Sequence, residues 1–189
     1  ELQREISGMR HPLTILTMTE LAWAYTRSGK FDQAEKLLDQ AVEVLGEANE
    51  PPDRELGMVL RCQGKLYSAR GEFHKALSVL TKGVSVHTRT HGANHTETAE
   101  TLEELGRVFT WMGDFARAKQ PLETGYSIFR NAHGPDHFET AVSLERMATM
   151  YLAAGEHAKA EKAFLEVLRI YRKSFGSPNK KEFMPLCSL

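Results

Sequence analysis

Apolar side chains recur along this chain at three- and four-residue spacing, in blocks separated by glycine and short polar stretches. Leu102, Leu105 and Phe109 form one such stripe, and Ala118, Leu122 and Tyr126 form the next. Spacing near 3.6 residues puts each set on one face of an amphipathic helix. Gly113 falls between them. Glycine takes φ > 0 without the steric penalty of a Cβ and is favoured just beyond a helix C-terminus, so it ends the first helix. The small residues Gly106 and Ala118 let the two helix backbones approach closely. One block therefore reads as a helical hairpin.

The hairpin repeats. GKFDQA from Gly29, GEFHKA from Gly71, GDFARA from Gly113 and GEHAKA from Gly155 align without a gap, each 42 residues after the last. An aromatic column (Tyr25, Tyr67, Phe109, Tyr151) stands four residues before the glycine. A small column (Ala22, Gly64, Gly106, Ala148) and an apolar one (Met18, Leu60, Leu102, Leu144) keep the same register. Between hairpins lie GANH at Gly92 and GPDH at Gly134, where glycine stops a helix and Asn94 or Asp136 is expected to cap the next. Glu97 and Glu139, three residues on, fit the capping-box spacing. Pro12 sits near a helix start, where its missing N–H does no harm. The pattern predicts first helices near 12–28, 54–70, 96–112 and 138–154, and second helices near 31–47, 73–90, 115–132 and 157–174.

The repeat units are expected over 12–52, 53–94, 95–136 and 137–178. Residues 1–11 read as the tail of a preceding second helix, because Leu2 and Gly8 fall on repeat columns. Residues 179–189 read as the start of a fifth unit or as an irregular tail, since Pro185 falls inside the expected helix. With no Met at position 1, the chain reads as a piece of something longer.

Composition narrows the function. The 189 residues carry 25 acids and 24 bases, so no charge excess draws the chain to nucleic acid or anionic lipid. No apolar run reaches the ~18–20 residues of a bilayer span, and no signal-peptide core opens the chain. Two cysteines, Cys62 and Cys187, make no disulfide framework, and the expected location is cytoplasmic.

The aromatic, glycine and alanine columns resemble the tetratricopeptide repeat (TPR). The 42-residue period and the G-x-x-H junction are closer to its kinesin light chain-like and nephrocystin-like subclass. The resemblance implies an all-α, right-handed solenoid of four helix-turn-helix repeats whose first helices line a concave groove. Kinesin light chains carry paired asparagines on the first helix that bind cargo-peptide backbone. Those positions here read Thr19-Glu20, Arg61-Cys62, Glu103-Glu104 and Glu145-Arg146, so the same cargo is not expected.

On the family's pattern, groove positions include Arg27, Arg61, Lys65 and Arg107, which would form a basic strip, together with Trp23 and Trp111. Tryptophan and arginine dominate interface hot spots, which makes these six the candidate partner-binding residues. An acidic and apolar peptide, or a C-terminal carboxylate, is the expected ligand.

Other chemistry fares less well. His87, His91 and His95 are spaced by four, and His133 and His137 repeat the last pair, but Gly and Pro interrupt the spacing. Helix capping explains them better than zinc, so no metal and no cofactor is expected. There is no H-E-x-x-H, G-x-S-x-G, Walker loop or C-x-x-C, and no enzyme is expected. Glu103 and Glu104 diverge by about 100° on a helix and read as a solvated charge pair rather than catalytic carboxylates. Cys62 reads as a half-buried small side chain. The sequence thus points to a non-catalytic protein-interaction module of an adaptor or scaffold. The alternative is a structural piece that self-associates through uncapped repeat ends.

Overall fold

The structure, a computed structural model, describes residues 11–46 and 53–175. The described residues form eight α-helices and no strand: α1 (Pro12–Arg27), α2 (Phe31–Gly46), α3 (Asp53–Arg70), α4 (Phe73–His91), α5 (Thr96–Trp111), α6 (Phe115–His133), α7 (Phe138–Ala153) and α8 (His157–Phe175). Every boundary lies within one residue of its expected position. The expectations for 1–11 and 179–189 lie outside the described residues, His11 excepted.

The chain divides into two compact units, residues 1–93 and 94–189. In the first unit α1 packs on α2 and α3 on α4, while α3 also touches both helices of the first hairpin. The second unit repeats this arrangement with α5, α6, α7 and α8. The first unit has a core of Ile15, Ala22, Leu38, Leu45, Val59 and Leu66. In the second, Leu144, Phe164, Val167, Ile170 and Tyr171 pack together, as do Ala118, Leu122, Met147 and Met150.

The turn inside each hairpin explains two sequence columns at once. Gly113 has φ +76°, and the next residue's N–H (Asp114) reaches back to the Phe109 carbonyl at 2.9 Å. The same bond links Lys30 to Tyr25, Glu72 to Tyr67 and Glu156 to Tyr151. This glycine-dependent bond satisfies a carbonyl that the ending helix leaves open. Each aromatic ring then lies under a cation: Lys30, Lys75, Arg117 and Lys159 stand 5.9, 5.3, 4.8 and 5.4 Å from the ring centroids. The aromatic column thus tethers the start of the second helix to the end of the first.

The small column sets the helix spacing. A Cβ on Gly106 would lie 2.6 Å from Leu122 Cγ and 3.2 Å from the Ala118 carbonyl oxygen, as the expected close approach requires.

Two expectations need correction. The capping side chain lies one residue later than Asn94 and Asp136: His95 and His137 accept the Glu97 and Glu139 N–H through Nδ1, at 3.2 Å each. His11 does the same for Leu13 at 3.3 Å. The capping box therefore does not form as expected, because each glutamate supplies the capped amide. Asp136 is engaged elsewhere, by Arg169 and Lys173, each at 2.5 Å. The stripe Leu102, Leu105 and Phe109 is only half-buried, whereas Ala99, Gly106 and Val108 are buried. A first helix in a stack meets its own hairpin partner and a neighbouring hairpin, so a wider face of small residues is covered.

Candidate functional site

In the first unit, α1 and α3 together form a small cleft of about 70 Å³ lined by Thr19, Glu20, Trp23, Met58, Arg61, Cys62 and Lys65. Trp23 is 36% exposed, and the Lys65 ammonium stands 5.0 Å from its ring centroid. The ring face and the ammonium attract one another electrostatically. Arg27 is exposed in the last turn of α1 and is not among the residues lining this cleft.

The second unit has a larger cleft, about 320 Å³, lined by Arg107, Thr110, Trp111, Val142, Glu145, Arg146 and Thr149. These residues come from α5 and α7. Trp111 is 48% exposed, and the Arg107 guanidinium stacks 4.7 Å from its ring centroid. Both tryptophans therefore lie at the protein surface beside a cation, off the core stripe.

Beneath the second cleft lies a buried ionic network that overturns one sequence expectation. Glu103 and Glu104 are not solvated: they are 1% and 4% exposed. Glu103 accepts hydrogen bonds from Ser143 Oγ and the Arg146 guanidinium. Glu104 accepts two from Arg107, at 2.9 and 3.0 Å. A buried carboxylate is tolerable only with such partners. Room for Glu103 comes from Gly125 on α6, where a Cβ would lie 2.6 Å from Glu103 Cγ. Glu145 accepts from Tyr171 Oη at 2.9 Å, and burial followed by this carboxylate pushes the Tyr171 phenol well above its ordinary range.

Other polar residues of the first helices are covered. Thr19, Thr26 and Ser68 are buried, their hydroxyls donating to the carbonyls of Leu16, Ala22 and Gly64 in their own helices. Cys62 is a free thiol, more fully covered than expected at 7% exposure, with Sγ 3.4 Å from the Thr19 carbonyl oxygen. Burial pushes its pKa up to about 11, which opposes the thiolate a nucleophile needs.

The histidines act mainly as structure. His87 is fully buried, stacked on His91 at 5.8 Å, and fills the space above Gly57. His133 stacks on the capping His137 at 4.7 Å and places Nε2 2.9 Å from a Glu139 carboxylate oxygen. The ligand atoms of His133, His137 and Glu139 converge within 4.8 Å at the surface. The cap opposes a metal there: Nδ1 of His137 accepts a hydrogen bond, so Nε2 carries the proton and cannot ligate without losing the cap. No helix among the described residues is long and apolar enough to cross a membrane.

Stacked two-helix hairpins, each closed by a positive-φ glycine four residues after an aromatic residue, define the class as a TPR-like helical repeat. The family description "MalT-like TPR region" matches residues 5–182, and the chain belongs to that family. Tetratricopeptide repeat protein 19, mitochondrial, is 42% identical in Rattus norvegicus and 38% identical in Homo sapiens, over 60 residues. Those residues are 32% of this chain but only 16% and 15% of the relatives. Among solved structures, BtubC (BKLC) from P. vanneervenii superposes with TM-score 0.83 at 16% identity, covering 94% of this chain and 71% of its own. A putative kinesin light chain with nearly identical TPR-like repeats from Podosopora anserina gives 0.78 at 22% identity, covering 95% and 85%. These likenesses show the fold. Repeats of this kind are generally protein-interaction modules.

Proposed function

We propose that this chain is a non-catalytic, cytoplasmic binding segment of an adaptor or scaffold, and that it holds a peptide-like partner segment against the exposed faces of its first helices. The observation that carries this reading is the pair of surface tryptophans, Trp23 and Trp111, each standing beside a cation in a cleft between two first helices. Broad rings stacked with a cation at a surface are the ingredients of interface hot spots. Arg61 and Lys65, with only Glu20 opposing them in the lining, favour an acidic group in the first unit.

Random peptides displayed on phage and selected against the chain supply a probe. Amide hydrogen exchange with a selected peptide is expected to slow in α1, α3, α5 and α7. Protection confined to α2, α4, α6 and α8 contradicts the reading.

A second reading, self-association, is favoured by the exposed Leu13, Leu16 and Leu21 on α1 and Leu165 and Phe175 on α8. Sedimentation over a concentration range separates the two, since a strict monomer at high concentration argues against stacking.

A further inference from the structure

The two clefts differ in chemistry. The charged and hydroxyl groups lining the cleft of the second unit each already bond within the protein. Arg107 donates to Glu104 and Arg146 to Glu103. Thr110 donates to the Gly106 carbonyl and Thr149 to the Glu145 carbonyl, both at 2.9 Å. Glu145 accepts from Tyr171. The cleft and the network beneath it hold three carboxylates (Glu103, Glu104, Glu145) against two guanidiniums (Arg107, Arg146), so they offer no net positive charge. An incoming acid meets guanidiniums whose charge is already balanced by Glu103 and Glu104, so it gains little net attraction there.

What a ligand meets is mainly carbon: the Trp111 ring, Val142, and the hydrocarbon of threonines whose hydroxyls bond their own helices. At about 320 Å³ the cleft sits at the small end of the ~300–1,000 Å³ range of ligand sites, with room for a large side chain but not a folded element.

We infer that the α5–α7 cleft receives an uncharged aliphatic side chain of the partner segment, with Arg107 and Arg146 holding the walls rather than reading charge. This deepens the partner-binding reading and rests on it. The acidic character expected of the ligand then belongs to the first unit alone.

The chain has two tryptophans, one per unit, so each indole N–H reports one cleft. The probes are acetyl-Gly-Leu-Gly-amide and acetyl-Gly-Asp-Gly-amide, titrated into the ¹⁵N-labelled chain at millimolar concentration. The leucine peptide is expected to shift the Trp111 indole saturably, leave Trp23 in place, and lose its effect in Thr149→Asp, which sets a carboxylate at an exposed wall position. The aspartate peptide is expected to act at least tenfold more weakly on Trp111. An equal response to aspartate overturns the aliphatic assignment and leaves the partner-binding faces standing. Silence of Trp111 towards both peptides, parallel unsaturating drift of both indoles, or an unchanged leucine response in Thr149→Asp also overturns it. The exchange experiment with a selected peptide decides the partner-binding reading separately.

Discussion

Glu103 Cγ lies where Gly125 lacks a side chain, 2.6 Å from the position a Cβ would occupy. The glycine is thus the floor on which a buried carboxylate rests, and the carboxylate in turn anchors Ser143 and Arg146 of the next hairpin. Repeat stacking in the second unit runs through a charged contact as well as an apolar one.

Gly125→Ala is expected to destabilise the chain, because Glu103 must move and its bonds to α7 must distort. Glu103→Ala removes the carboxylate hydrogen-bonded to Arg146, leaving Glu104 at 4.0 Å, and is expected to cost about 2–4 kcal/mol, since that guanidinium keeps 28% exposure. The double variant is expected to be less damaged than the sum, by about 1 kcal/mol, because removing Glu103 makes room for the new methyl. Urea unfolding of the four proteins measures the coupling, and strict additivity contradicts the described contact.

The histidine caps make a second prediction. His137→Ala removes the acceptor for the Glu139 N–H and is expected to cost about 1 kcal/mol, whereas His137→Asn, also a good cap, is expected to restore most of it. Equal losses in both variants would show that the ring stack on His133, not the cap, is what matters.

Alkaline titration makes a third. Burial, then the nearby Glu35 carboxylate, pushes Tyr67 up to about 12, and burial also raises Tyr151 and Tyr171. An unfolded tyrosine ionises near pH 10. The unfolded chain therefore loses protons first, so stability is full below about pH 10 and falls as pH rises towards the folded values. Phenolate absorbance is expected to show the three ionising late and in step with unfolding. Ordinary titration of all five tyrosines in a chain that stays folded contradicts the buried environments.

The acid side has the opposite sign. Hydrogen bonds from Lys173 and Arg169 hold Asp136 below the usual carboxylate range, and one from Arg89 does the same for Asp53. Such groups stabilise the fold above about pH 4, and that contribution is lost as pH falls through their folded values. Asp136→Asn is expected to flatten the acid limb of a stability–pH profile, and an unchanged limb contradicts the assignment.

Helix positions were legible because glycine, aromatic and small columns are local signals repeated four times. The caps fell one residue off because asparagine and aspartate are the commoner N-caps, while here histidine Nδ1 reaches the amide two residues on. The burial of Glu103 and Glu104 was hidden because carboxylates default to solvent. The partners of Glu103 lie about one repeat away, Ser143 at 40 residues and Arg146 at 43. The available signal was Gly125, a buried glycine within a helix opposite a glutamate. The surface tryptophans followed from their place off the apolar stripe, but the charge balance of each cleft required the pairing of Arg107 and Arg146 to be seen.

The central claim is that the first helices carry the partner-binding surface. Its most direct test is the affinity of a display-selected peptide, by fluorescence anisotropy, for the native chain and for Arg61→Ala, Lys65→Ala and Trp111→Ala, each checked for folding by circular dichroism. At least one of these folded variants is expected to lose about tenfold or more in affinity, roughly 1.4 kcal/mol. Native affinity in all three contradicts the claim.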